Sequence, residues 1–393
     1  MIDILYLVWR YLLYHRWKTG ILITSIMLII YLPVGLNVLV DQSARQLTAR
    51  ADATPLLIGA KGSPLELTLN SLYFDSATPA FTEYGEVARV AETGLATPIP
   101  LYVRFKSRGY PIVGTTLEYF EFRSFELAQG RPMAILGEAV IGAAAARELG
   151  VKPGDAVVSS PENVFDLAGV YPLKMSVVGV LEPTFSADDQ AIFTDIKTGW
   201  IMQGLGHGHQ DLQRREASEA VLNRDGNRIV ANASVVQYNE ITKDNIDSFH
   251  FHGDNSAFPI SALLAVPTDQ KSGVILQGRY EDKDASGQIV RPIDIITELL
   301  GTILTIQQFV IGAVIIIGMA TIATASLVFM LSLRLRKREI VTITKIGGAR
   351  STVIGMVSAE IIAVIVASTV LAIVLTMMTR QFGADLIRAL LLS

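Results

Sequence analysis

The chain has 393 residues, half of them apolar, with 33 Lys and Arg against 37 Asp and Glu and a formal net charge of −4. So even a balance argues against a nucleic-acid partner, whose phosphates call for clustered positive charge. Cysteine is absent, which excludes disulfides, thiolate metal ligands and a cysteine nucleophile, and permits an oxidising compartment without requiring one.

The apolar excess is gathered into three blocks. A hydrocarbon core of about 30 Å takes roughly 20 helical residues, which sets the length each block must reach. Residues 1–18, with Arg10, Arg16 and Lys18, lead into an apolar run from Ile21 to Val40 that meets no charge until Asp41. This predicts a first span over 19–40. A cleaved signal peptide is the rival reading, but the run is too long and no small-residue cleavage site follows it. Asp41 to Ala51 keeps helical spacing, with Ala44 and Leu47 on one side, and is expected to prolong the span as half of a stalk.

Residues 41–301 read as a mixed α/β domain. Gly59-Ala60-Lys61-Gly62-Ser63 has the residue types of a phosphate-binding loop without its spacing, and the full Gly-x-x-x-x-Gly-Lys-Ser/Thr pattern occurs nowhere in the chain. Tyr119, Phe120, Phe122 and Phe125 are expected in the core. Ala134 to Gly137 reads as a short strand and Glu138 to Leu149 as an Ala-rich helix stopped by Gly150. Pro153-Gly154-Asp155 then turns the chain into a strand at Ala156 to Val158. Met175 to Leu181 is a second β-branched strand. Glu162, Asp166, Asp188 and Asp189 stand apart and read as turn residues, and no serine, histidine and acid order points to a hydrolase.

Four of the five histidines form two His-x-His pairs, His207 with His209 and His250 with His252. In an extended segment residues i and i+2 share a face, so each pair can present two imidazoles to one ion, with Asp211 or Asp254 as an oxygen ligand. Zinc or copper suits such donors. Against this, Gly-His-Gly-His also reads as a flexible loop. Asp282 to Gln288 is a polar turn, and from Val290 helical spacing returns as the second half of the stalk.

Thr302 to Leu333 carries no charge and would reach about 48 Å as a helix, so the second span, over 302–333, includes a stalk extension. A basic loop follows over 334–350. The third span covers 351–378, interrupted only by Glu360, and 379–393 form a tail. Glu360 is an intramembrane acid, expected to pair with a basic neighbour or to face other helices. Lys and Arg before the first span and in the 334–350 loop place both on the cytoplasmic side, which sets 41–301 and the tail outside.

The segment LRLRKREIVTITKIGGARSTVIGMVSAEIIAV from Leu333 to Val364 resembles the permease domain shared by MacB, FtsX and LolC/LolE-type ABC transporter subunits. The matching positions are Arg336, Glu339, Ile340, Gly348, Ala349 and Glu360, while Val341 and Lys345 depart from the usual pattern. The resemblance implies a non-catalytic permease subunit in the inner membrane with a periplasmic domain. It would work as a homodimer or heterodimer with a separate cytoplasmic ATPase that binds ATP and Mg. It also implies an ATPase-coupling helix built from Arg334, Arg336, Lys337, Arg338, Glu339, Ile340, Ile343, Gly347, Gly348 and Arg350. The family normally has a fourth span, for which the charged residues 379–393 leave no room, so either this subfamily has three spans or the chain is shortened. The bilayer, a periplasmic adaptor and a substrate-binding protein are the remaining candidate partners. Two rival functions stand beside transport: an FtsX-like regulator of an envelope enzyme, and a membrane metal-binding or metal-sensing protein that uses the His pairs.

Overall fold

Backbone polar groups in hydrocarbon must be bonded within their own segment, so each apolar block is expected to be helical, and each is. A computed structural model describes residues 2–74, 79–160, 172–208, 221–225, 228–231, 239–281, 287–335, 337–345 and 350–391. The contacts divide the chain into Met1–Leu47 with Glu298–Ser393, and Thr48–Thr297.

The chain starts with α1 (Ile2–Tyr14) and α2 (Arg16–Asp52), the latter carrying Pro33 within it. Next come β1 (Leu56–Gly59), α3 (Pro64–Tyr73), β2 (Thr82–Glu83), α4 (Gly85–Glu92), β3 (Ala96–Ser107), β4 (Tyr110–Thr115) and α5 (Leu117–Phe122). They are followed by β5 (Leu127–Gly130), β6 (Glu138–Ile141), α6 (Ala143–Leu149), β7 (Ala156–Val158), β8 (Lys174–Leu181), β9 (Ile192–Asp195) and α7 (Ile196–Met202). Then come β10 (Gly206–Gly208), β11 (Val221–Asp225), β12 (Arg228–Ala231), β13 (Phe249–Phe251), β14 (Pro259–Ile260), β15 (Ala262–Pro267), α8 (Gln270–Tyr280) and β16 (Gln288–Val290). The chain ends with α9 (Pro292–Leu335), α10 (Lys337–Lys345) and α11 (Arg350–Leu391).

Among the described residues ten strands make one mixed sheet, in the order β16-β1-β15-β3-β4-β9-β6-β8-β5 with β7 also on β8. The β4–β9 and β6–β8 pairs are parallel and the other pairings are antiparallel. β8 alternates between half-buried and buried residues along its length, the period-2 signature of a strand with one face on the core. β1, one strand in from the edge, and β6 are buried throughout, as strands covered on both faces must be. Trp200, Tyr102, Tyr119 and Phe193 are the largest fully buried side chains. Helix ends are capped as their sequences dictate: Ser63 accepts from Glu66 N at 3.2 Å ahead of Pro64, and Asp269 accepts from Ser272 N at 2.7 Å.

One local reading is corrected. The strand before α6 is Glu138–Ile141, and Ala134 to Gly137 lies outside it. Glu138 resembles a residue of a helical first turn, but Arg131 Nη1 and Ala134 N donate to its carboxylate at 2.7 and 2.8 Å, and this pairing lets it start a buried strand. Gly150 does cap α6, in the left-handed conformation at φ 68°.

In the helical unit, α2, α9 and the Val353–Gly383 part of α11 are long and apolar enough to cross a membrane. Their exposed Ile316, Ile322, Leu327 and Ile362 give the apolar outer surface a helix shows to lipid. α1 packs on α11. The Tyr31 and Thr379 hydroxyls hydrogen-bond at 2.7 Å and Gln42 Nε2 donates to Arg380 O at 3.0 Å, polar ties of the kind that hold helices together in a bilayer. α11 continues to Leu391, so the expected tail after 378 is helical up to that residue.

Candidate functional site

β10 and β13 form a two-stranded antiparallel ribbon in which His207 lies opposite His250. His252 N donates to Leu205 O at 3.2 Å, which carries the pairing one step further. Period-2 alternation then puts His207, His250 and His252 on one face. Their ring centroids are 4.8, 4.8 and 4.9 Å apart, and one ligand nitrogen from each lies within 4.8 Å of the others. His207 is half-buried and the other two are exposed. His250 Nδ1 is 3.1 Å from Ser248 O. A carbonyl only accepts, so Nδ1 is the donor, and Nε2 is the nitrogen that the neutral ring can offer a metal.

The opposite face is aromatic, and this explains the glycines. A Cβ on Gly206 would come within 2.6 Å of Phe251 Cδ1, and one on Gly208 within 2.5 Å of Phe249 Cε2. Phe251 in turn packs against Trp200 and Phe258, with centroids 6.2 and 6.0 Å apart. Gly206-His207-Gly208 is therefore a strand whose glycines admit the Phe rings, where the loop reading expected freedom. His209 and Asp211 lie outside the described residues. Asp254 is directed elsewhere: it accepts from Ser256 N at 2.9 Å as the cap of a short turn, and that bond holds its carboxyl below the usual range.

A second constellation was not anticipated. Arg50, in the last turn of α2, donates from Nη2 to Asp188 Oδ1 at 2.9 Å and to the Tyr119 hydroxyl at 3.2 Å, and from Nη1 to Asp188 Oδ2. Its Nε donates to Leu72 O. Arg50 and Asp188 are 8% and 1% exposed, so both charges are desolvated and each depends on the other. The turn reading of Asp188 missed this role. Of the aromatic residues expected in the core, Tyr119 is buried and joins this pair through its hydroxyl, Tyr119, Phe120 and Phe125 pack against Phe193, and half-buried Phe122 lies under Arg123.

Of the proposed coupling residues, Arg334 is exposed at the end of α9, and Lys337 and Arg338 are exposed on α10, which also contains Glu339, Ile340 and Ile343. Arg350 opens α11. Arg336, Gly347 and Gly348 lie outside the described residues. Glu360 is buried and accepts from Lys18 Nζ at 3.3 Å, while the same ammonium sits 5.3 Å from the Phe329 ring centroid.

Among the described residues, three membrane-length helices and a mixed α/β domain define a membrane protein with an extracytoplasmic domain. The MacB-like periplasmic core domain family matches residues 20–241, more than half of the chain, and the chain belongs to that family. Among solved structures it is similar to the periplasmic region of MacB from Actinobacillus actinomycetemcomitans at 11% identity and TM-score 0.33, over 63% of this chain and 92% of that one. It is also similar to the extracellular domain of the ABC-type transporter YknZ from Gram-positive bacteria at 13% identity and TM-score 0.31, over 60% and 99%. No curated protein matches it.

Proposed function

We propose that this chain is the permease subunit of an ATP-driven complex in the inner membrane. Its three spans couple nucleotide hydrolysis on a separate cytoplasmic ATPase to movement of its periplasmic domain. The observation that carries this reading is α10, a nine-residue basic helical segment between two membrane-length helices, with Lys337, Arg338 and Lys345 exposed. A signal for topology alone needs only charge, whereas this segment combines exposed charge with apolar residues in a helical backbone. A short basic helix with Ile340 and Ile343 at i and i+3 has the pattern of a ridge that seats in a partner's groove. Two copies of the permease would meet two copies of the ATPase.

The long helices suit transmission. α9 has 44 residues and would measure about 66 Å, well over the roughly 30 Å of hydrocarbon. A stroke at α10 would bias two arrangements of such levers, which is what coupling between distant sites requires.

The cysteine-free chain makes the test direct. A single cysteine at Thr342 should react with membrane-impermeant maleimide only after the cells are opened. The intact chain, co-expressed with its cognate ATPase, should stimulate ATP hydrolysis, and Lys337→Glu with Arg338→Glu should abolish the stimulation while leaving membrane insertion intact. Labelling from outside, or stimulation that survives the charge reversal, overturns the reading.

A further inference from the structure

We propose that the imidazole face of the β10–β13 ribbon is an exchangeable site for a borderline divalent metal ion, Zn2+ foremost. His207, His250 and His252 are its ligands among the described residues. The site is independent of the coupling role of α10.

Three features carry it. The register brings three imidazoles from two segments onto one face, with their ligand nitrogens within 4.8 Å of one another. Tetrahedral Zn2+ with Zn–N of about 2.0–2.1 Å needs its nitrogens roughly 3.3 Å apart, so rotation of the exposed side chains closes the set and the backbone stays in place. Second, the ribbon is held from behind: Phe249 and Phe251 lie over Gly208 and Gly206, and Phe251 is wedged against Trp200 and Phe258. A register slip of one residue would turn the histidines toward that aromatic layer, so the packing that fixes the strand also fixes the ligand face. Third, the Nδ1–H of His250 donates to Ser248 O at 3.1 Å, the outer bond that sets the tautomer and aims Nε2 as the metal-binding atom.

The donor set selects the metal. Three neutral nitrogens suit Zn2+, Cu2+ or Ni2+, whereas Mg2+ and Ca2+ require oxygen ligands, and a chain with no cysteine offers no thiolate to hold Cu+. Two of these ligands are exposed and the third is half-buried, so solvent and competing chelators reach the ion. Such a site on the outer domain can take up and release its metal.

The test uses the intact chain in detergent, stripped with a chelator and titrated with Zn2+ against a chromophoric competitor. One Zn2+ per chain is expected, unaffected by excess Mg2+, and X-ray absorption should find nitrogen scatterers at about 2.0–2.1 Å. His250→Ala with His252→Ala should weaken binding by about 100-fold or more, and His252→Ala alone by at least about 10-fold. Circular dichroism of each variant should match the wild type, since both side chains are exposed. His15→Ala, at the one histidine in the sequence outside the two His-x-His pairs, should leave binding unchanged. Absence of saturable Zn2+ binding, or equal affinity in the well-folded double variant, overturns the proposal.

Discussion

Arg50 and Asp188, 138 positions apart, form a two-pronged ion pair inside the outer domain, with Nη2 donating to Oδ1 at 2.9 Å. Through it the last turn of α2 is fastened to the turn that precedes β9. Removing one partner leaves the other charge buried and uncompensated. Arg50→Met is therefore expected to destabilise the protein by about 3–5 kcal/mol, while Arg50→Met with Asp188→Leu should recover most of that loss. Chemical unfolding of the full chain followed by tryptophan fluorescence would measure both.

The same pair predicts an acid dependence. Burial pushes the Asp188 carboxyl up, but the charge and hydrogen bonds of Arg50 outweigh it and hold the group below the ordinary carboxylate range. Glu138 behaves alike: burial opposes ionisation, while Arg131 and the N–H groups of Ala134 and Ile135 prevail. A carboxyl lowered on folding contributes stability that is fully present above its unfolded value, about 3.9 for Asp and about 4.3 for Glu, and that is lost as pH falls through the folded value. Stability should thus fall steeply below about pH 4, and the Arg50→Met, Asp188→Leu variant should show a shallower decline over that window. Apparent Tm measured across a pH series decides this.

Gly206→Ala sets a methyl against Phe251, a ring already confined by Trp200 and Phe258. Overpacking of this kind costs about 1–3 kcal/mol, and it should tilt the ribbon so that Zn2+ affinity falls although no ligand has changed. Gly62→Ala, where an added Cβ meets nothing within 4 Å, is the matched control and should alter neither quantity. Thermal unfolding and metal titration of the two variants would separate packing from chemistry.

Lys18 is the basic partner of Glu360, at 3.3 Å. Lys18→Met should cost about 1–3 kcal/mol by removing a charged donor to the buried carboxylate, and Lys18→Met with Glu360→Gln should restore part of it. Yield of monodisperse protein after heating in detergent is the practical measurement.

What the sequence makes legible follows the range of the forces involved. The strand over Lys174–Leu181 and the Gly150 cap are local, one set by alternation and the other by a left-handed backbone, and both can be read directly. The strand over Glu138–Ile141 was misplaced because the pairing of Glu138 with Arg131 depends on the folded chain. Arg50 with Asp188 could not be read, since no periodicity links residues so far apart. The histidines lie between these cases. Spacing shows which residues share a face, but their meeting depends on register, and the signal was in the complement: glycines alternate with histidine on one strand and phenylalanines on the other.

β1 lies between β15 and β16, and Leu57 pairs with Val290. The strand that follows α2 and the strand that precedes α9 are therefore side by side, so the sheet begins and ends at a single doorway. A domain closed in this way is a cassette: it can be exchanged for another of different specificity, by recombination or by design, at two neighbouring splice points without redrawing the helices on either side.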